Sequence, residues 1–234
     1  MKRVMTLLPV RALVIMSLIT MTSPGISQEF KFVAHADPLI SWMSSNGSDY
    51  SSQGAKAGLD LGLNVLYYFK ENYAASTGIS FLSAGGRQIA IEPHTIVFNS
   101  FPAEVAPGDE MIYNLRYLNV PLGARLQTNQ IGSMTYFTDM GLDIRVLIKS
   151  TIDLPVSSEG PISGENAKTE VNGMNAGWHI HIGMEYELST ETAFVVGLGF
   201  NRDFFDVTKD LEDADQPEDR SRLNMVSFRF GFRF

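Results

Sequence analysis

The stretch from Asn224 to the C-terminus reads N-M-V-S-F-R-F-G-F-R-F and constrains this chain more than any other. Val226, Phe228, Phe230, Phe232 and Phe234 fall on one side of an extended backbone. Met225, Ser227, Arg229, Gly231 and Arg233 fall on the other. A period of two is the signature of a strand, and no helix can hold these phenylalanines on one face. One greasy face and one face of charge and glycine need two different surroundings.

The pattern recurs upstream. Phe194, Val196, Leu198 and Phe200 alternate with Val195, Gly197, Gly199 and Asn201; Trp178, Ile180, Ile182, Met184 and Tyr186 alternate with His179, His181, Gly183, Glu185 and Glu187. Met140 to Val146, Val120 to Leu126 and Leu59 to Tyr67 repeat it, with Asp139, Asp143, Arg145, Arg125 and Asp60 on the second face. Residues 73–83 form a weaker member. Residues 30–43 are weaker still, and Pro38 suits them to a bulge or bend. Eight segments result.

Their connections alternate in length. Tight turns are expected around residues 70–72, 129–132 and 189–191, and long links over 44–53, 85–111, 150–172 and 208–220. Strict alternation gathers all tight turns at one end of a closed sheet. That is the layout of an outer-membrane barrel, with short periplasmic turns and long extracellular loops. A soluble eight-stranded ligand carrier would turn its apolar face inward instead. Glycine interleaved with charge suits the narrow interior of an eight-stranded barrel, and Trp178 and Tyr186 near opposite ends of one apolar face suit paired aromatic girdles. The expected fold is therefore an all-β, eight-stranded, antiparallel up-and-down transmembrane barrel of OmpA/OmpX-like architecture.

The N-terminus reads as an address. Lys2, Arg3 and Arg11 precede the apolar run Ala12 to Met21, and Gly25 and Ser27 suit a cleavage site, so residues 1–27 are read as a secretory signal peptide and 28–234 as the barrel. Cleavage takes the formal charge from −8 to −11, which excludes a basic nucleic-acid face. Without Cys there is no disulfide, thiolate nucleophile or Cys-ligated metal.

The run Tyr117-Leu118-Asn119-Val120-Pro121-Leu122 and the run Asn72-Tyr73-Ala74-Ala75-Ser76-Thr77-Gly78 carry a resemblance, together with the Gly-rich seventh segment and the aromatic C-terminus. Over residues 28–234 the chain resembles the PorT-like, or "porin family", outer-membrane barrels of Bacteroidota. Phe230, Phe232 and Phe234 resemble the signal that barrel-assembly machinery reads on a last strand. Some members of that family serve type IX protein secretion or gliding. The resemblance thus implies a non-catalytic barrel in outer-membrane lipid, presenting its extracellular loops to secretion or gliding subunits. A free-standing structural barrel or narrow solute channel is one alternative, and a lipid A-modifying enzyme another.

The candidate sites follow from the two faces. Asp60, Arg125, Asp139, Asp143, Arg145, His179, His181, Glu185, Glu187, Arg229 and Arg233 point inward, where unpaired charge is costly, and are expected to form mixed-sign ladders that fill the lumen. His179 and His181 share a face and can approach a metal, but Glu185 lies too far along the strand, and ordinary hydrogen bonding is the expectation. The acidic run 209–220 lacks the glycine of a calcium loop and reads as a solvated link. The His-x-Ser-Asn pattern of lipid A deacylases is missing after His35 and His94. No catalytic residue, cofactor or metal is therefore assigned. The longest link carries Ile89, Ile91, Ile96, Phe98 and Phe101, an apolar set expected either to fold over the barrel mouth or to contact a partner.

Overall fold

The computed structural model describes residues 29–45, 50–98, 101–155, 160–209 and 220–234. The signal segment 1–27 and nearly all of the acidic run 209–220 lie outside them. Eight long strands make the barrel: β1 (Glu29–Ser45), β3 (Lys56–Lys70), β4 (Tyr73–Ala90), β7 (Glu110–Gln127), β8 (Met134–Leu154), β10 (Met174–Glu187), β11 (Ala193–Asp203) and β12 (Ser221–Arg233). They correspond to the eight alternating segments. Four short strands, β2 (Tyr50–Gly54), β5 (His94–Val97), β6 (Pro102–Val105) and β9 (Ile162–Asn166), belong to the long connections.

Each barrel strand pairs antiparallel with its sequence neighbours, and β12 returns to β1. Phe32 and Phe234 close the ring, each N–H donating to the other's carbonyl at 2.8 and 2.9 Å. Closure leaves no open edge, the condition a sheet must meet in hydrocarbon. Pro38 makes no bulge. The register runs unchanged from Val33↔Arg233 to Ser45↔Ser221, with only the pairs at Asp37 and Pro38 missing from that ladder. Proline lacks the N–H but its φ fits an extended strand, so it costs hydrogen bonds and no register.

The outer surface is a lipid belt. On β8, Tyr136, Met140, Leu142, Ile144, Val146 and Ile148 all face outward and exposed. That run covers about 40 Å of strand, or roughly 30 Å of height at the usual tilt, which matches a hydrocarbon core. Arg116 and Lys149 pair just above it, at the register shift between Arg116 and Tyr117. Beyond them, β4, β7 and β8 continue into a folded extracellular extension.

The lumen is layered. Next to the tight turns, Val33, Leu66, Tyr68, Ala74, Phe137 and Val195 form a small apolar floor. Charged residues fill the middle. The extracellular half is an apolar core that includes Leu39, Met43, Leu82, Tyr113, Leu115, Tyr117, Ile152 and Leu154. The expectation of a lumen filled by polar residues alone is therefore corrected. Above the belt the inward positions of β4, β7 and β8 carry aliphatic and aromatic side chains, and long connections fold onto them. Gly86 allows close packing there, because a Cβ on it would stand 2.7 Å from the Met43 backbone nitrogen.

Candidate functional site

The charged middle layer is built from inward positions on seven strands. Strand alternation delivers each side chain to the lumen, and register decides which meet. Arg125 on β7 stands directly opposite Asp139 on β8. Its Nε and Nη2 donate to Oδ1 and Oδ2 of Asp139 at 2.6 and 2.8 Å, while Nη1 donates to Glu185. The guanidinium also lies 4.0 Å over the Phe137 ring. Glu185 on β10 then accepts from Arg233 at 2.6 Å, and Arg233 reaches on to Glu187 at 2.9 Å. This network locks β7, β8, β10 and β12 together beside the apolar floor.

A second network lies higher. Arg145 donates to Asp143 at 3.0 Å and to Asp203 on β11. Asp143 also accepts from Asn201 at 3.1 Å, and His179 Nδ1 stands 3.2 Å from it. His179 and His181 place their rings 5.2 Å apart, with His179 held against the Asp143 carboxylate. Between the two networks, Arg229 on β12 donates from Nε to Asp37 Oδ2 at 2.9 Å, and its Nη2 stands 2.9 Å from the same oxygen. Buried pairs of this kind need every partner, because removing one strands a charge in low dielectric.

A family model described as an outer membrane protein beta-barrel domain matches residues 25–209. The chain belongs to that family. No curated protein matches it. Among solved structures it is similar to the Neisserial surface protein A, NspA, at 11% identity and a TM-score of 0.44, covering 86% of this chain and 95% of that one. It is also similar to OprG from Pseudomonas aeruginosa, at 11% identity and a TM-score of 0.41 over 88% and 95% of the two chains. Ail of Yersinia pestis gives 10% identity and a TM-score of 0.39 over 87% and 98%. The family match and the closed barrel together make the protein an outer-membrane, multi-pass β-barrel.

Within this outer membrane protein beta-barrel domain, all eleven of the inward residues named from the sequence face the lumen; Glu187, at 27% side-chain exposure, is the most open in its ion pairs. His35, Asp37 and Asp203 belong to the same layer and were missed. The first two lie on the strand whose alternation is weakest, yet their i, i+2 spacing carries the signal. Phe230, Phe232 and Phe234 face the lipid side, all about half exposed.

The link between β4 and β7 divides. Ile96 and Phe98 are only 2% exposed and sit in the extracellular apolar core, with Phe101 packed against it, so these three are not available to a partner. A short β5–β6 hairpin turns them inward. Ile89 is half-buried, and Ile91 is exposed. Outside the belt, Asp153 ties the extension together. Its carboxylate accepts from Gly164 N at 2.5 Å, Ser163 Oγ at 3.1 Å and Asn114 Nδ2 at 2.9 Å. Partial burial raises its pKa, but these donors more than offset that and hold it below the ordinary value of 3.8.

Proposed function

We propose that this barrel is a closed, non-catalytic platform that presents its extracellular extension to a partner protein. The observation that carries the reading is the filled lumen. Floor, charge layer and apolar core succeed one another along the barrel, and the cavity beside the charge layer, about 20 Å³, holds about one water. Such an interior argues against a solute channel. The strands that continue beyond the belt have no part in crossing the membrane, and partner contact is the use that accounts for them.

A catalytic role finds little support. Ser80, His35 and Asp37 come together, but inside the lumen, and neither ring nitrogen of His35 accepts a hydrogen bond from Ser80. A nucleophile needs its base within reach and a path for substrate.

The resemblance to PorT-like barrels of Bacteroidota makes type IX secretion or gliding subunits the first partners to test. The experiment is affinity purification of tagged protein from native outer membranes in mild detergent, with companions identified by mass spectrometry. Co-purifying assembly subunits, lost on Ile91→Asp but not on Phe230→Ala, support the reading. A barrel that emerges alone and conducts in planar bilayers overturns it in favour of a channel.

A further inference from the structure

Asp37 and Asp60 stand directly opposite each other on β1 and β3, both facing the lumen. Like charges in that position repel, and the low dielectric of a packed interior sharpens the repulsion. Arginine does not resolve it. Arg229 serves Asp37, and Arg125, Arg145 and Arg233 are each bonded to other carboxylates. Among the described residues Asp60 has no ion-pair partner.

Each of the three side chains keeps at least one buried atom without a hydrogen-bond partner. Arg229 occupies Oδ2 of Asp37, and Oδ1 has no hydrogen-bond partner. Asp60 Oδ1 likewise has none. The side chain of His35 is 2% exposed, and neither ring nitrogen makes a hydrogen bond, although Nδ1 stands 3.1 Å from Asp37 Oδ2. Gly62 makes room for that ring, since a Cβ there would lie 2.7 Å from His35 Nε2. One ring nitrogen and one oxygen from each carboxylate all lie within 4.8 Å of one another. Buried polar atoms are almost always satisfied, and three convergent ones call for a common ligand.

We propose that His35, Asp37 and Asp60 hold a divalent transition-metal ion of the zinc class inside the barrel. One imidazole and two carboxylates suit such an ion, which takes nitrogen and oxygen ligands at about 2.0–2.2 Å. Calcium would need six to eight oxygens. Three protein ligands leave a fourth position for water, and the adjoining cavity of about 20 Å³, lined by His35, Asp60, Asn64 and Ser80, accommodates one. Arg229 orients the Asp37 carboxylate from behind, the role of outer partners in metal sites. The ion neutralises the opposed carboxylates and clamps β1 to β3. The His35 and Asp37 side chains are 2% exposed, so the metal enters as the barrel folds.

The test is refolding of the full barrel domain from metal-free urea into detergent micelles, with and without zinc chloride. Elemental analysis after gel filtration should give one zinc per chain, and the midpoint of thermal unfolding should rise by at least about 5 °C. Asp60→Asn and His35→Gln should each lose the retained zinc and the thermal response, while His94→Ala keeps both. Zinc that survives in Asp60→Asn is adventitious and overturns the proposal. So does a wild-type barrel that retains none, in which case a shared proton holds the two carboxylates. Should either variant fail to assemble, the wild-type stoichiometry and thermal shift decide alone.

Discussion

Arg125 and Asp139 face each other across the β7–β8 ladder and share two hydrogen bonds, of 2.6 and 2.8 Å, with both side chains almost fully buried. Fork geometry of this kind fixes orientation as well as charge. A one-residue slip of β8 would send Asp139 to the lipid and cost Arg125 its fork, so the pair specifies register.

Arg125→Met should therefore cost about 3–5 kcal/mol in urea unfolding in micelles, because Asp139 loses its fork and Glu185 loses one of its two cations. The double variant Arg125→Met/Asp139→Leu should cost less than the sum of the single changes. Strict additivity would mean that the two side chains do not act as a unit.

Phe230 lies on the lipid belt of β12, opposite Ala36 of β1 and Val196 of β11. Phe230→Arg puts a charge into hydrocarbon and should lower stability by about 2–4 kcal/mol, less if the side chain snorkels toward the interface. Unchanged stability would overturn the assignment of outer and inner faces.

Phe98 and Ile91 lie on one connection but in different surroundings. Phe98→Ala opens the extracellular apolar core and should cost about 3–5 kcal/mol without altering partner recovery. Ile91→Asp should leave the unfolding midpoint nearly unchanged and reduce partner recovery. Deleting residues 89–107 should destabilise the barrel, since it strips Ile96, Phe98, Ala103 and Val105 from that core.

The depressed pKa of Asp153 sets the acid response of the extension. A carboxyl whose folded pKa lies below its unfolded value stabilises fully above the unfolded value, near 3.8, and that contribution fades as pH falls through the folded one. Proteolysis of the β8–β9 connection should then accelerate as the pH drops below about 4. Asp153→Asn should remove most of that acid step. An unchanged profile would show that the three donors do not stabilise the ionised form.

The sequence by itself determined the eight barrel strands, their faces and the alternation of tight and long connections. Those features are local: a period of two in Phe228 to Phe234 or Trp178 to Tyr186 states which side chains share a face, whatever the strand's neighbours. The tertiary structure decided which inward residues meet. Asp37 opposite Asp60, Arg125 opposite Asp139 and Arg145 beside Asp203 are matters of register and closure between separate strands. The same holds for Ile96 and Phe98. Their apolar character is written in the sequence, but whether an apolar loop faces solvent or a core depends on the space above the charge layer. That space exists because β4, β7 and β8 outrun the membrane and carry Leu82, Tyr113 and Ile152 inward. Local pattern names the face; only packing names the partner.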